Sequence, residues 1–382
     1  MYANSTRGHC NKPLKWDIAQ KAIEQYIKKL KQQNNNIISF YGGEPLLNFE
    51  IIKQTVDYVK GKDLNIRFAL NTNLTLANDE IIKFLIDNKF ILSVSIDGPE
   101  CIHDMYRVSS NEAKSHNVVL QNLKKIKYID NEYFNHDVIF GVVIVPHNYD
   151  LDILDNYFNS DIFKDVDIDN IKTLPINNDE NSFFSQYDYW EFIKKFDDYT
   201  LSKFIAAHKN GKTDFSDMKV SYQYHIRGFR QIYFREMNRM NEYNYFWPNG
   251  ICIPGMRSLF VSTDGYYYPC EKMNDLNPLI IGNVFDGYDV EKTTKLIDEY
   301  ATKSLPLCAS CWAYRFCGSC FMLSQVDGRY SETFKEQSCN GIKRYYYQLF
   351  QSYIEIVKET PDAFYYLDEK GKDEIYNDMR SE

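Results

Sequence analysis

The sequence predicts an α/β protein that consists of a partial (β/α)6 barrel of the TIM type followed by a cysteine-rich domain. Two observations lead to this prediction. From residue 17 to about residue 175, segments with helical spacing of apolar residues alternate with short β-branched or aromatic runs, which is typical of βα units around a parallel sheet. Seven of the nine cysteines lie in the last third of the chain, from residue 252 onward.

The helices and strands follow one another in a regular order. A helix is predicted over residues 17–31, because its apolar residues share one helical stripe, and a strand follows over residues 37–41. The next helices are predicted over residues 48–60, 79–88 and 113–127, and the next strands over residues 66–71, 91–96 and 138–145. The strands are rich in β-branched and aromatic residues, so we expect both of their faces to be buried.

The domain organisation is predicted from changes in composition along the chain. Residues 1–184 are expected to form the barrel, truncated at its N-terminus, and residues 185–249 a helical, aromatic-rich bridge. Residues 250–345 form the cysteine-rich domain in this prediction, and residues 346–382 a C-terminal helix and a charged tail that is only partly ordered.

Composition narrows the class of protein. The 382 residues are 44% hydrophobic and 25% charged, as in a soluble globular protein with a sizeable core. The formal net charge of -9 argues against nucleic acid or an anionic membrane as the main partner. No apolar run reaches the roughly 20 residues of a membrane span, and no signal peptide is evident, so we expect a cytoplasmic protein.

The clustered cysteines point to a metal site, because thiols stay reduced in the cytoplasm and disulfides are rare there. Four of these cysteines form two C-x2-C pairs, Cys308 with Cys311 and Cys317 with Cys320. This spacing suits iron–sulfur clusters and also tetrahedral zinc. Seven ligands divide poorly among four-cysteine zinc sites, which favours iron and sulfur and keeps zinc as the alternative. The isolated Cys10 and Cys101 are expected to be ordinary side chains.

Polar or glycine-rich residues follow four of the predicted strands. In a (β/α) barrel the carboxyl ends of the strands build the active site, so these residues are expected to face one cavity. The paired glycines allow a ligand to approach the backbone closely, and Glu44 offers a carboxylate that could bind an amine. The four segments are Gly42 to Pro45, Asn71 to Asn73, Ser95 to Gly98 and Pro146 to Asn148.

The runs YGGEPLLN, NTNLT and SIDGPECIHDMYR together resemble radical S-adenosylmethionine (radical SAM) enzymes of the branch that carries a C-terminal SPASM domain. The resemblance implies that Glu44 binds the methionyl amine of SAM and that Ser95 lies near its ribose. The other cofactor-binding residues that it implies are Gly42, Gly43, Pro45, Asn73, Asp97 and Arg107. Tyr41 stands where relatives place a glutamine, and it receives no role.

The cysteine region resembles the SPASM domain independently, because Cys252-x12-Gly265-x4-Cys270 fits the opening of that pattern and the later cysteines fit its remainder. The resemblance implies two auxiliary [4Fe-4S] clusters. One is held by Cys308, Cys311, Cys317 and Cys339. Cys252, Cys270 and Cys320 contribute to the other, whose fourth ligand is a different side chain or a substrate thiol. Relatives usually have three residues before the position of Cys320, where this chain has two, Gly318 and Ser319.

Radical SAM catalysis requires a further cluster on a C-x3-C-x2-C triplet, and these 382 residues contain no such triplet. Either the sequence is truncated at its N-terminus, which we favour, or a complete chain has lost the radical-generating cluster. We therefore expect the 382 residues by themselves not to cleave SAM. An in-frame triplet in the DNA upstream of Met1 would distinguish the two explanations.

The resemblance implies a peptide or protein maturase that abstracts hydrogen with a 5′-deoxyadenosyl radical, for thioether crosslinking or formylglycine formation. Its partners would be a peptide or protein substrate and a reductant such as flavodoxin or ferredoxin. Glu271 matches the position where sulfatase-maturing relatives carry a catalytic aspartate; alternatively it is a solvated side chain paired with Lys272. The alternative function is a non-catalytic, iron–sulfur or zinc-bearing protein that binds peptides.

Overall fold

The structure is a computed structural model, and it describes residues 12–30, 36–62, 64–108, 112–146, 150–176, 188–234, 258–273 and 276–369. The chain divides into two compact units. One comprises residues 93–236 and 346–382 together with residues 1–2, and the other comprises residues 3–92 and 237–345. The predicted domain boundaries stay a prediction.

The helices agree in position with most of the predicted ones, and several others appear. The closing helix begins at Glu332, although the C-terminal helix was predicted within residues 346–382, and the helix that ends at Cys308 was not predicted. In chain order the helices are α1 (Trp16–Lys29), α2 (Phe49–Lys60), α3 (Asp79–Asp87), α4 (Glu100–Tyr106), α5 (His116–Ile129), α6 (Asn131–His136), α7 (Leu151–Phe158), α8 (Tyr189–Lys209), α9 (Lys219–Tyr233), α10 (Val290–Cys308), α11 (Glu332–Glu359) and α12 (Tyr366–Glu369).

Five strands form a parallel sheet in the order β1-β2-β3-β4-β5, which confirms the predicted α/β fold and is consistent with a partial TIM-type barrel. They are β1 (Ile37–Phe40), β2 (Arg67–Thr72), β3 (Ile91–Ser95), β4 (Val138–Ile144) and β5 (Ile171–Pro175). Three short hairpins follow, built from β6 (Phe260–Val261), β7 (Tyr267–Tyr268), β8 (Gly282–Asn283), β9 (Gly287–Tyr288), β10 (Gln325–Val326) and β11 (Arg329–Tyr330).

Strands β2 to β5 are buried on one face only, and β1 has no fully buried residue, contrary to the expectation of two buried faces. In β2, Phe68 and Leu70 are buried, whereas Arg67 and Asn71 are exposed. In β4 buried and half-buried residues alternate in the same way, and Gly141 and Val143 lie on the less buried face. The helices cover one face of each strand, and side chains that are mostly small or polar line the other.

The hairpins of the cysteine region belong to the same unit as α1. Tyr267, Ile281 and Val284 form a buried cluster, against which Ile18 and Ala22 of α1 pack. The sequence pattern of α1 therefore serves two purposes: its apolar stripe contacts α2 and also these hairpins.

The other unit is organised around α9. The Asp155 carboxylate of α7 accepts hydrogen bonds from the backbone N–H groups of Val220, at 2.8 Å, and Ser221, at 3.2 Å, in the first turn of α9. Such groups have no partner within a helix, and a carboxylate there also meets the positive end of the helix dipole. None of the helices in the described part of the chain combines the length and apolar content that a membrane span requires.

Candidate functional site

Glu44 lies in the loop after β1, and its carboxylate is held in one orientation by neighbouring groups. Oε1 accepts a hydrogen bond from the backbone N–H of Leu46, at 3.0 Å, and another from the Thr72 hydroxyl, at 2.7 Å. Oε2 accepts one from the backbone N–H of Asn73, at 2.8 Å. An ionised carboxylate has about four acceptor positions. Among the described residues, one position on Oε2 therefore has no donor.

Thr72 ends β2 and Asn73 follows it, and both contact the Glu44 carboxylate. The Asn73 side chain is engaged locally, because its Oδ1 accepts hydrogen bonds from the backbone N–H and the hydroxyl of Thr75. Its backbone N–H and the Thr72 hydroxyl are the groups that hold Glu44. The next residue, Leu74, is buried in a left-handed conformation with φ of 58°, which costs roughly 1–2 kcal/mol for a residue with a side chain.

The two glycines before Glu44 are not required by the fold. Neither Gly42 nor Gly43 has a positive φ, and a Cβ added to either would meet no atom of the described structure within 4 Å. Both are exposed. Glycine at these positions therefore leaves open space beside the backbone and serves neither a left-handed turn nor a close contact.

Asp97 and Arg107 form a buried ion pair in the other unit. The Asp97 side chain is 1% exposed and that of Arg107 17%. Asp97 Oδ2 accepts a hydrogen bond from Arg107 Nε at 2.5 Å, and Oδ1 accepts one from Arg107 Nη2 at 2.9 Å. The backbone N–H of Val143 in β4 also donates to Oδ1, at 2.9 Å. The Asp97 carboxylate thus links the end of β3, β4 and the segment after α4.

His103 supports this ion pair from within α4. Its Nδ1 accepts a hydrogen bond from the Asp97 backbone N–H at 3.3 Å, so its Nε2 carries the proton and donates to the Ser115 hydroxyl at 3.0 Å. That hydroxyl donates in turn to the Arg107 carbonyl, at 2.5 Å. Burial lowers the pKa of His103 to about 4. The ring is therefore neutral near pH 7, as its role as an acceptor at Nδ1 and a donor at Nε2 requires.

Ser95 is the last residue of β3 and lies on its less buried face. It is half-buried and makes no hydrogen bond to another described residue. Its hydroxyl can therefore act both as a donor and as an acceptor toward a ligand.

Four of the predicted metal ligands meet around one opening in the cysteine region. The opening is shallow and continuous with solvent. It is lined by Leu307, Cys308, Cys311, Ala313, Tyr314, Cys317, Lys335, Cys339, Ile342 and Lys343. Cys308 comes from the end of α10, Cys339 from the second turn of α11, and the other two cysteines from the connection between these helices. The four cysteines are thus the set that the SPASM resemblance assigns to one cluster.

The environment of these thiols is largely desolvated. Burial raises the pKa of the Cys308 thiol to about 11, and the positive charge of Lys335 opposes that rise. Burial also raises the pKa of Cys317 and that of Cys339. Such thiols are poor free nucleophiles, whereas coordination to a metal deprotonates a thiol outright. The chemical type of these four donors therefore suits a bound metal centre.

The second set of cysteines is described only in part. Burial raises the pKa of Cys270 to about 11, and the charges of Glu271 and Cys320 raise it further, so Cys270 and Cys320 interact electrostatically. Glu271 follows Cys270 in a short 3-10 turn and is half-buried. Cys252 lies outside the described residues, as do Cys10, His147 and Asn148.

Within the described ranges, no group of three or more histidine, cysteine or carboxylate side chains is arranged to hold a metal ion. Cys308, Cys311, Cys317 and Cys339 therefore border a common opening without closing on a single point. Cys101, by contrast, is an exposed free thiol on α4.

Residues 7–155 match the family model of the radical SAM superfamily. The chain carries a radical SAM domain. The segment matched by the model includes Glu44, Asn73, Ser95, Asp97 and Arg107, all of which follow strands of the sheet or belong to the segments after them.

Curated relatives extend the similarity beyond the radical SAM domain. The chain is 25% identical over 318 residues to the cysteine-type anaerobic sulfatase-maturating enzyme of Clostridium novyi (strain NT), which covers 78% of this chain and 76% of that protein. It is 25% identical over 351 residues to the enzyme of the same description from Clostridium perfringens (strain ATCC 13124), with 87% and 85% covered. The radical SAM cyclopropyl synthase TigE of Paramaledivibacter caminithermalis is 29% identical over 177 residues, 45% of this chain and 34% of that protein.

A solved structure described as native anSMEcpe with bound AdoMet and the Cp18Cys peptide has the same fold. The TM-score is 0.62 at 18% sequence identity, and the match covers 94% of this chain and 95% of that chain. A second structure, of native anSMEcpe with bound AdoMet and the Kp18Cys peptide, matches with a TM-score of 0.61, at 18% identity and with 94% of each chain covered.

Motifs of the radical SAM domain and of the cysteine region led to most of these residues, but several contributors carry little sequence signal. Thr72 lies inside the NTNLT run, although its contact with Glu44 depends on how β1 and β2 pair. Lys335 belongs to no motif. Its spacing of four residues before Cys339 is the one feature that could have suggested a place on the same face of a helix.

Proposed function

We propose that this protein is a radical SAM maturase that modifies a side chain of a peptide or protein. The observation that carries the proposal is the geometry of Glu44. Within a radical SAM domain, its carboxylate is held by three donors and keeps one acceptor position beside two glycines that the fold does not require. Relatives that are described as sulfatase-maturating enzymes and as a cyclopropyl synthase support the maturase class.

In this proposal Glu44 binds the methionyl amine of SAM through Oε2. The hydrogen bonds from Leu46, Thr72 and Asn73 fix the carboxylate before the ligand arrives, so no reorientation is needed on binding. Gly42 and Gly43 let the ligand approach the backbone. Ser95 offers its hydroxyl to the ribose.

The buried pair of Asp97 and Arg107 supports the same function by holding the segment after α4 against β3 and β4. When bound, SAM and a reduced [4Fe-4S] cluster supply a 5′-deoxyadenosyl radical that removes a hydrogen atom from the substrate. A peptide substrate and a small reducing protein such as flavodoxin or ferredoxin are the partners that this chemistry requires.

The cysteine region would hold two auxiliary [4Fe-4S] clusters. Cys308, Cys311, Cys317 and Cys339 are the ligands of the first, because all four line one desolvated opening. Cys270 and Cys320, which interact electrostatically, are ligands of the second together with Cys252. Glu271, adjacent to Cys270, would accept a proton from the substrate.

Binding of SAM tests the role of Glu44 without requiring turnover. Glu44→Gln should weaken SAM binding at least about tenfold, because a hydrogen bond between charged groups contributes roughly 1.5–3 kcal/mol. The matched control is Glu50→Gln on α2, an exposed glutamate paired with Lys53 at 2.5 Å. Equilibrium dialysis under anaerobic conditions measures both variants. Equal affinity of Glu44→Gln and the unsubstituted chain would remove Glu44 from the SAM site.

Modification of a peptide tests the maturase class. The longest open reading frame that contains these 382 residues should be reconstituted with iron and sulfide, then incubated with SAM, reductant and a cysteine-containing peptide. Mass spectrometry distinguishes a thioether, which forms with loss of two hydrogen atoms and keeps the sulfur, from formylglycine, in which an aldehyde oxygen replaces the sulfur and two hydrogen atoms are also lost. Peptide binding without 5′-deoxyadenosine or any mass change would instead support a non-catalytic binding protein.

The same preparation tests Glu271. Glu271→Gln should lower the yield of modified peptide while 5′-deoxyadenosine is still formed, and Lys272→Gln is the neighbouring control. Normal peptide turnover by Glu271→Gln would exclude a catalytic role for this carboxylate.

Metal analysis tests the ligand assignment. Cys308→Ala combined with Cys311→Ala should remove about four irons and the matching acid-labile sulfide per chain, whereas Cys101→Ala, at an exposed and isolated thiol, should remove none. Zinc without sulfide in the anaerobically purified protein would replace the iron–sulfur assignment by a zinc site.

A further inference from the structure

One buried cation lies among the cysteines of the opening. Lys335 is 1% exposed. It precedes Cys339 on α11 by four residues, so the two side chains occupy the same face of the helix, and both line the opening. A lysine is rarely buried to this extent without a partner for its charge.

The contacts of Lys335 join the segments that carry the cysteines. Its Nζ donates a hydrogen bond to the Tyr300 hydroxyl at 2.6 Å and another, at 3.4 Å, to the hydroxyl of Ser319. It also lies 4.9 Å from the centre of the Tyr300 ring. Tyr300 precedes Cys308 on α10 by eight residues, and Ser319 follows Cys317 by two. A single ammonium therefore ties α10 and the intervening loop to α11.

These hydrogen bonds leave the Lys335 side chain with one orientation. Both acceptors are neutral hydroxyls, so no carboxylate neutralises the ammonium through them. Its charge acts on Tyr300 and also on the thiols of the opening, Cys308, Cys317 and Cys339. Ser319 also stabilises negative charge on the Cys317 sulfur, because its backbone N–H donates a hydrogen bond to Cys317 Sγ, at 3.4 Å.

We propose that Lys335 sets the reduction potential of the iron–sulfur cluster held by Cys308, Cys311, Cys317 and Cys339, by keeping a fixed positive charge beside it. The inference rests on the proposed function, because it requires that these four cysteines hold a cluster. Lys335 is a positioning residue in this role, because its charge acts through the cysteines that would hold the cluster.

The direction of the effect follows from electrostatics. One-electron reduction by an external donor adds a negative charge next to the ammonium, so Lys335 stabilises the reduced form and raises the reduction potential. Solvent and salt screen a buried charge much less than an exposed one. Hydrogen bonds to the cluster sulfurs act in the same direction, and Lys335 holds the Ser319 side chain next to the N–H group that makes one.

The test is an anaerobic redox titration of the 382-residue chain, followed by electron paramagnetic resonance. The background carries alanine at Cys252, Cys270 and Cys320, so that the four-cysteine site gives the signal. Lys335→Met should lower the midpoint potential by at least about 59 mV, which is a tenfold change in a one-electron equilibrium. Lys335→Arg, which keeps the charge, should shift the midpoint by less.

Lys343→Met is the matched control. Lys343 lines the same opening but makes no hydrogen bond to another described residue. Its removal should cause a smaller shift that disappears at high salt, whereas the shift caused by Lys335→Met should persist at high salt.

Failure of the inference differs visibly from failure of the proposed function. A background chain that takes up zinc, or no iron and sulfide, overturns the cluster assignment and the inference with it. A fully loaded Lys335→Met chain with an unchanged midpoint overturns the inference alone. If Lys335→Met does not load, Lys335→Gln, which keeps a donor but loses the charge, takes its place, and an unchanged midpoint there has the same meaning.

Discussion

The buried ion pair of Asp97 and Arg107 gives a sharp prediction on stability. Asp97→Asn keeps the size of the side chain, so it opens no cavity, but it removes the negative charge and the acceptor at Oδ1 or Oδ2. The Arg107 guanidinium then loses its carboxylate, and one of three hydrogen bonds at this site is lost or reversed.

The expected loss is about 3 kcal/mol in the free energy of unfolding. Removing one partner of a buried ion pair costs roughly 3–5 kcal/mol. We place Asp97→Asn at the lower end of this range, because the Arg107 side chain is 17% exposed and can regain some hydration. The control is Glu100→Gln, whose pair with Lys114 spans 3.4 Å between side chains that are 47% and 70% exposed. Such a surface pair contributes at most about 1 kcal/mol.

Urea unfolding followed by far-ultraviolet circular dichroism measures both variants. The midpoint should fall strongly for Asp97→Asn, with an unchanged dependence on urea, and hardly at all for Glu100→Gln. Adding Arg107→Met to each background isolates the interaction between the two charges. The reasoning is refuted if Asp97→Asn costs no more than Glu100→Gln, or if the cycle shows no coupling between Asp97 and Arg107.

Three further predictions concern stability. Lys219→Met should cost about 3 kcal/mol in urea unfolding, because the buried ammonium donates three hydrogen bonds to backbone carbonyls, at 2.7, 2.8 and 3.0 Å, and all three would be lost; a loss below about 1 kcal/mol contradicts this. Gly98→Ala should cost about 2 kcal/mol, because φ is +125° and the new Cβ would lie 2.6 Å from a Leu154 methyl, whereas Gly42→Ala, with open space around it, should leave the thermal midpoint unchanged. Burial lowers the pKa of His208 to about 4, below its usual value of 6.5. The neutral His208 ring makes its full contribution to the free energy of unfolding above pH 6.5. That contribution is lost as the pH falls toward 4, because the histidine of the unfolded chain has the higher pKa and takes up the proton first. The free energy of unfolding should therefore fall by about 2–3 kcal/mol less in His208→Gln than in the unsubstituted chain between pH 6.5 and pH 4. An equal fall in both chains would argue against this prediction.

The alternation of helices and strands could be predicted because it depends on local periodicity. The strands β1 to β4 and the helices α1, α2, α3 and α5 lie within a few residues of their predicted positions. Strand β5 was not predicted, since its sequence IKTLP ends in proline and leaves Leu174 65% exposed. Helix α10 was not predicted either. It contains Pro306 near its end, and the side chain of Asp289, the residue before its first turn, caps it by accepting a hydrogen bond from the Lys292 N–H group.

The candidate site could be predicted as a set of motifs but not as a set of contacts. The GGEP and NTNLT runs each marked a strand end. That the Thr72 hydroxyl and the Asn73 backbone hold the Glu44 carboxylate follows only from the parallel pairing of β1 with β2. That Asn73 uses its own side chain within a local turn also could not be read from its place in the motif.

The sequence by itself determined the local patterns of this protein, namely the order of βα units, the strand-end motifs within the segment that matches the radical SAM superfamily, and the spacing of seven clustered cysteines. Only the tertiary structure decided which groups meet. It brought Cys308, Cys317 and Cys339 to one opening and placed Lys335 between their segments. The physical reason is that periodicity and spacing report on neighbours within a few residues, whereas a buried charge selects its partners from segments that are distant along the chain and close only after folding.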